Sequence, residues 1–165
     1  MILDSYEVNL ETLMIAPYGA ATSKVYEYDG EFIVKMPPLT IIKNSCMFFG
    51  ATFEGRRDAT KTIIGINKKV PIVIEDSRNI IFFPISSCIN RSSTWVSYQN
   101  LLNYFKVDSN RSKLFFKNNR NLCVDIKYNM IDNQFLRCLK LETLLSKRKD
   151  FSKCVNVDIN VDNLT

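Results

Sequence analysis

"VPIVIEDSRNIIFFPI", residues 70–85, decides the fold. Two runs rich in β-branched and aromatic residues, "VPIVIED" (70–76) and "NIIFFPI" (79–85), meet at Asp76, Ser77, Arg78 and Asn79, residues that turns favour. Pro71 and Pro84 lie at the outer ends, where a missing donor costs a ladder least. The stretch reads as a pair of strands joined by a turn.

Downstream, "STWVSY" (93–98) reads as a further strand and "NLLNYF" (100–105) as a short amphipathic turn or helix. "SKLFFKNNRNLCVDIKY" (112–128) reads as a hairpin turning within Asn118–Asn121, because asparagine tolerates positive φ. On its second strand Leu122, Val124 and Ile126 alternate with Cys123, Asp125 and Lys127, so one face is buried. "NMIDNQFLRCLKLETLLSKRK" (129–149) has helical spacing: Ile131, Phe135, Cys138 and Leu145 share a face that Leu136, Leu139 and Leu144 widen. Asn129 is the expected cap, with Asp132 near N3. Lys147, Arg148 and Lys149 stand at the C-terminal end, where the helix dipole favours cations. The final "CVNVDINVDNLT" alternates weakly, as an edge strand or a frayed tail.

Upstream, "YEVN" (6–9) and "TLMIAPY" (12–18) read as strands. "KVYEYDGEFIVKM" (24–36) reads as a hairpin around Asp29-Gly30, a pair suited to a type I′ turn, and Pro37-Pro38 closes it. "LTIIKNSCMFFG" (39–50) fits a helix ended by Gly50, with Ile42, Cys46 and Phe49 at i, i+4, i+7, although Ile41 and Ile42 also suit a strand. "GRRDATKTII" (55–64) reads as a second short helix that Gly55 begins and Gly65 ends. The expectation is an α+β fold: mostly antiparallel β hairpins packed with two or three helices, including a long C-terminal helix. Residues 1–150 form one domain and 151–165 a short acidic-polar tail. Phe48, Phe49, Phe82, Phe83 and Trp95 are expected in the core.

The bulk numbers are those of a globular protein: 165 residues, 46% hydrophobic and 24% charged. No apolar run approaches the roughly 18 residues of a membrane span. The opening "MILDSYEVNLETL" has acids where a signal peptide is basic, so a cytoplasmic protein is expected. Five cysteines, at 46, 88, 123, 138 and 154, show no C-x-x-C spacing, and there is no histidine. The reading is reduced thiols with no metal and no catalytic cysteine. The commonest general base and the Ser-His and Cys-His pairs are missing. No G-x-S-x-G, Walker loop or G-x-G-x-x-G is found, which argues against an enzyme and gives no cofactor.

Charge is unevenly distributed. Residues 1–31 carry one base and six acids (1 − 6 = −5), residues 32–153 carry 21 bases and nine acids (21 − 9 = +12), and residues 154–165 carry two acids (−2). A basic middle between acidic ends fits a polyanion-binding face, or a lysine-rich solvated surface.

The motifs fall in a recognisable order. Pro38-Leu39 and Ile41 precede Ser45-Cys46, Phe48-Phe49-Gly50 and Gly55-Arg56. Then come Pro71-Ile72, Phe82-Phe83-Pro84 with Ser86-Ser87, and Trp95 with Ser97, while "SYEVN" and "YNMIDNQF" stand at the two ends. Over roughly residues 5–145 this pattern resembles the ComK family of competence transcription factors of low-GC Gram-positive bacteria. The resemblance implies a cytoplasmic, nucleoid-associated activator of DNA-uptake genes and of its own promoter. It would recognise paired AT-rich boxes, largely through the minor groove, as an oligomer. The implied partners are double-stranded AT-rich promoter DNA, further copies of the chain, RNA polymerase, and an adaptor with an AAA+ protease. Family members usually continue past the long helix with a further basic and aromatic segment, whereas this sequence ends at Thr165. The alternative is therefore a shortened ComK-like interaction module that modulates a full-length partner without activating transcription.

Within this frame Arg56 and Arg57 are candidate minor-groove residues, since the narrow groove of A-tracts has an enhanced negative potential. Gly50 and Gly55 would let the backbone turn and push the pair outward. Lys61, Lys68 and Lys69 would bind adjacent phosphates. Lys113, Lys117 and Arg120, around the second hairpin turn, form the runner-up DNA element. The plain alternatives are a solvated arginine pair with Asp58 as partner and a charged hairpin tip.

Overall fold

The computed structural model of the protein describes residues 1–86 and 92–162, with side chains up to Asp150. In chain order the elements are β1 (Ile2–Leu3), β2 (Thr12–Pro17), β3 (Ser23–Glu27), β4 (Glu31–Val34), α1 (Pro38–Phe48), α2 (Phe53–Ile64), β5 (Ile72–Glu75), β6 (Ile80–Ile85), β7 (Thr94–Ser97), β8 (Leu101–Lys106), β9 (Ser112–Phe116), β10 (Asn121–Val124) and α3 (Tyr128–Asp162). Seven strands form one sheet in the order β1-β4-β3-β2-β7-β6-β5, and three form a second in the order β10-β9-β8. Among the described residues all pairings are antiparallel except β1 with β4. The expected α+β class, with three helices, is what the chain adopts.

The opening stretch forms β5 and β6, and its lack of a polar face has a simple cause. Strand side chains alternate, and here both faces of the sheet are covered. Ile81, Phe83 and Ile85 of β6 enter one core with Leu13, Val96, Leu114, Phe116 and the α3 residues Ile131, Cys138 and Leu141. Ile80 and Phe82 enter the other with Ile15, Val25, Ile72, Ile74, Trp95 and the α1 residues Ile41, Ile42 and Cys46. The large sheet is thus a middle layer, with α1 on one side and α3 and the small sheet on the other. Each fully buried phenylalanine is worth about 1.5–3 kcal/mol relative to exposure, so Phe82 and Phe83 hold both layers to β6.

A buried asparagine ties the two sheets together. Asn100 Nδ2 donates to the carbonyls of Leu10 and Thr12, each at 3.0 Å, and its Oδ1 accepts from Tyr28 Oη at 3.0 Å. Its own carbonyl accepts from the Lys117 N–H at 2.9 Å. The residue thereby joins the entry to β2, the β3–β4 turn and the end of β9.

Several local expectations need correction. Residues 6–9 form no strand: the Val8 N–H donates to Ser45 Oγ of α1 (3.0 Å), and the Tyr6 hydroxyl contacts Thr12 Oγ1 and the Glu27 carboxylate. Side-chain partners there replace a ladder. Leu101–Lys106 is a strand, not a turn or helix, and a bulge between Leu101 and Asn103 blurs its period. Neither Asp29 nor Gly30 takes a positive φ, so the first hairpin has no type I′ turn. The second hairpin does turn on left-handed asparagines, Asn118 (φ 61°) and Asn119 (φ 56°). Phe48 is 67% exposed, whereas Phe49 packs against the α1-side core. The long helix begins at Tyr128, one residue before the expected cap Asn129, and runs to Asp162 instead of ending near residue 149. No glycine or proline stands in that span to stop it.

Candidate nucleic-acid interface

The first basic region begins on α2. Thr52, not Gly55, starts the helix: its Oγ1 accepts the Gly55 N–H at 3.0 Å. A Cβ at Gly55 would lie 2.9 Å from that oxygen. The glycine therefore makes room for the cap and does not push the arginines outward. Arg56 and Arg57 are consecutive on a helix, so they point about 100° apart. Arg56 lines a small cleft with Ala59, Thr60, Ile63, Val73, Asp76 and Leu145, where α2, β5 and α3 meet. Arg57 lies over the Phe53 ring (5.7 Å to its centroid) beside Asp58 (3.5 Å), towards the side where Lys43 also covers Phe53. Both are half-buried, and the Nε of each is buried without a hydrogen-bond partner. The pair is thus not presented together to one groove.

Beyond α2 the chain turns sharply. Gly65 closes the helix in the left-handed region (φ 70°), returning its N–H to the Lys61 carbonyl at 2.9 Å. Lys68 and Lys69 then stand exposed at the turn into β5, and Lys69 itself is left-handed (φ 51°), a costly conformation for a side chain with a Cβ. α3 holds this turn in place. Gln134 Nε2 donates to the carbonyls of Lys69 (2.8 Å) and Pro84 (2.7 Å). Arg137 Nη1 donates to the Lys68 carbonyl (3.1 Å) and to Gln134 Oε1 (3.0 Å). Among the described residues no carboxylate pairs with Lys61, Lys68 or Lys69. The result is a fixed basic turn with uncompensated charge. Gln134 and Arg137 were missed by sequence reasoning. The available signal was a glutamine on the buried stripe of Ile131, Cys138 and Leu141.

The second basic region is built differently. Arg120 Nη1 donates to the carbonyls of Glu27 (2.9 Å) and Gly30 (3.2 Å), and Nη2 to Glu31 Oε1 (2.7 Å). Its guanidinium also lies 5.8 Å from the centroid of the Tyr26 ring. Asn118 Nδ2 donates to Asp29 Oδ1 at 2.9 Å. The acidic tip of the first hairpin therefore docks on the tip of the second, and Arg120 is committed to the fold. Lys113 is half-buried over Phe115 on β9, and Lys117 is exposed just beyond that strand. The structure brings Arg56, Arg57 and Lys61 together on α2, followed by Lys68 and Lys69 at the next turn. It places Lys113, Lys117 and Arg120 on the other sheet.

Two of the described thiols are buried. Burial pushes Cys46 up to about 11 and Cys138 well above the ordinary thiol range. Cys123 is exposed, while Cys88 and Cys154 lie outside the described side chains. Among the described residues no helix is long and apolar enough to cross a membrane.

Comparison with known proteins agrees with the family resemblance of the sequence motifs. The model of the ComK protein family matches residues 3–150. The competence transcription factor of Bacillus subtilis (strain 168) is 33% identical over 151 residues, covering 90% of this chain and 79% of that protein. No solved structure matches the chain. A match across nearly the whole described core, at that identity, makes this chain a member of the ComK family.

Proposed function

We propose that the chain is a DNA-binding competence regulator that activates DNA-uptake genes from AT-rich boxes, read largely through the minor groove by an oligomer. The observation that carries this reading is the Lys68–Lys69 turn, which α3 clamps through Gln134 and Arg137 and which no carboxylate among the described residues neutralises. The clamped backbone keeps both lysines at one turn, and each cation releases a counterion on meeting a phosphate. Lys61, Arg56 and Arg57 extend the basic edge along α2, with one arginine at a time available to a narrow groove. Leu136 and Leu139, 51% and 44% exposed on α3, are the surface for self-association. The same reading places the protein in the cytoplasm at the nucleoid, with RNA polymerase and an adaptor-linked AAA+ protease as further partners.

The test is a gel shift with a two-box AT-rich duplex against a GC-matched duplex at two salt concentrations. Preference for the AT-rich probe, in steps of more than one protomer, is expected; equal binding to both probes contradicts the reading. The exposed α3 leucines also favour a second reading, a module that joins oligomers without activating transcription. A reporter gene driven by the boxes separates the two: activation by this chain alone supports the first, and activity only through a full-length partner supports the second.

A further inference from the structure

The three-stranded sheet covers the core with one face and leaves the other open. Along β9, Ser112, Leu114 and Phe116 are buried, so Lys113 and Phe115 point outward. The register sets Phe105 and Cys123 on either side of Lys113, and Asn103 and Asn121 on either side of Phe115. Phe105 is 50% exposed and meets Phe115 edge to face, with ring centroids 5.2 Å apart. The Lys113 ammonium lies 5.4 Å from the Phe115 centroid. No acidic residue occurs in β8, β9 or β10, and Lys117 extends the positive charge at the end of β9.

We propose that this open face is a second contact with duplex DNA, in which Phe105 and Phe115 press into an opened base step. Folding gives two phenylalanines no reason to remain on the outside of a sheet whose other side is fully packed. Their mutual edge-to-face contact and the lysine over Phe115 fix the rings, so insertion costs little rotamer freedom. Apolar wedges of this kind enter the minor groove, and pyrimidine–purine steps in AT-rich DNA open most easily. The side-chain amides of Asn103 and Asn121 can donate to the adenine N3 and thymine O2 acceptors of that groove, and Lys113 can meet a phosphate. A second copy of the chain suits the face less well. A two-fold contact would bring the lysines of the two copies together, and the nearest carboxylates, Asp108 and Asp125, lie at the edge beside Arg111 and not within the three strands.

The inference rests on the DNA-binding reading, and Cys123 supplies a test that separates the two. This exposed thiol sits on the open face opposite Lys113, while Cys46 and Cys138 are buried. The full chain is alkylated with a maleimide, with and without a two-box AT-rich duplex, and peptides are resolved by mass spectrometry. With duplex at about ten times Kd, roughly a tenth of the protein stays free, so Cys123 alkylation slows about tenfold. Phe105→Ala and Phe115→Ala should each weaken AT-rich binding about tenfold. They should also abolish the fluorescence rise of 2-aminopurine placed in a box. Parent protein that binds the duplex while Cys123 stays fully reactive overturns the inference and leaves the DNA-binding reading standing. Protection that appears without DNA as protein concentration rises also overturns it, in favour of a second copy. Failure of the parent to bind the duplex removes both.

Discussion

The two basic regions offered to DNA have similar composition and opposite construction. At the tip of the second hairpin, Arg120 holds two carbonyls and a carboxylate of the first hairpin, so its charge is consumed inside the molecule. At the turn after α2 the direction is reversed. α3 side chains hold the backbone carbonyls of Lys68 and Lys69, and the two ammonium groups meet no carboxylate among the described residues. A cluster of bases in a sequence does not say whether its charge supports the fold or faces outward. What decides is which atoms of the turn, side-chain or backbone, receive the tertiary hydrogen bonds.

This contrast can be broken by substitution. Arg120→Ala should cost about 2–3 kcal/mol in urea unfolding, since it removes charge-assisted bonds and strands their acceptors. Its DNA-binding salt slope should match the parent's, and Arg120→Lys should recover little, because lysine lacks the planar fork. Gln134→Ala should cost about 1–2 kcal/mol by removing the side-chain donor to the Pro84 carbonyl and leaving the Lys69 carbonyl only its longer bond from Arg137, at 3.5 Å. Unlike the arginine change, it should also weaken DNA binding, by releasing the basic turn.

A smaller effect sharpens the account of α2. Gly55→Ala normally favours a helix by up to about 1 kcal/mol, but here the new methyl displaces the Thr52 cap, itself worth about 1 kcal/mol. The substitution should be neutral or destabilising in the parent and stabilising in a Thr52→Ala background. Thermal unfolding of the four proteins of that cycle checks it, and equal effects in both backgrounds would contradict the cap geometry. The smallest stability change is expected for Lys69→Gly. It relieves a left-handed backbone and should not destabilise the protein, yet it should weaken binding to AT-rich and GC-rich duplexes alike.

Much of the fold was legible because hydrophobic pattern and turn chemistry agreed. Residues 70–85, the 112–128 hairpin and the helix from 129 follow local rules that packing did not override. Some misreadings arise where the deciding contact lies far along the chain, others from a local irregularity. Val8 finds its partner in Ser45, the Leu101–Lys106 strand is blurred by a bulge, and Tyr6 is anchored on Glu27. The candidate site was legible as residue types but not as geometry. Adjacent arginines look like a pair in sequence, yet consecutive positions on a helix diverge. Gln134, which fixes the basic turn, sits 65 residues from Lys69.

On the proposed reading the Lys68–Lys69 turn contacts DNA phosphate while Arg120 serves the fold. The most direct measurement is the slope of log K against log salt for the parent, Lys68→Ala and Arg120→Ala on an AT-rich two-box duplex. A slope shallower by about one unit is expected for Lys68→Ala, the counterion released per contact, and an unchanged slope for Arg120→Ala. A parent-like slope in folded Lys68→Ala, with the loss appearing instead in Arg120→Ala, would contradict it.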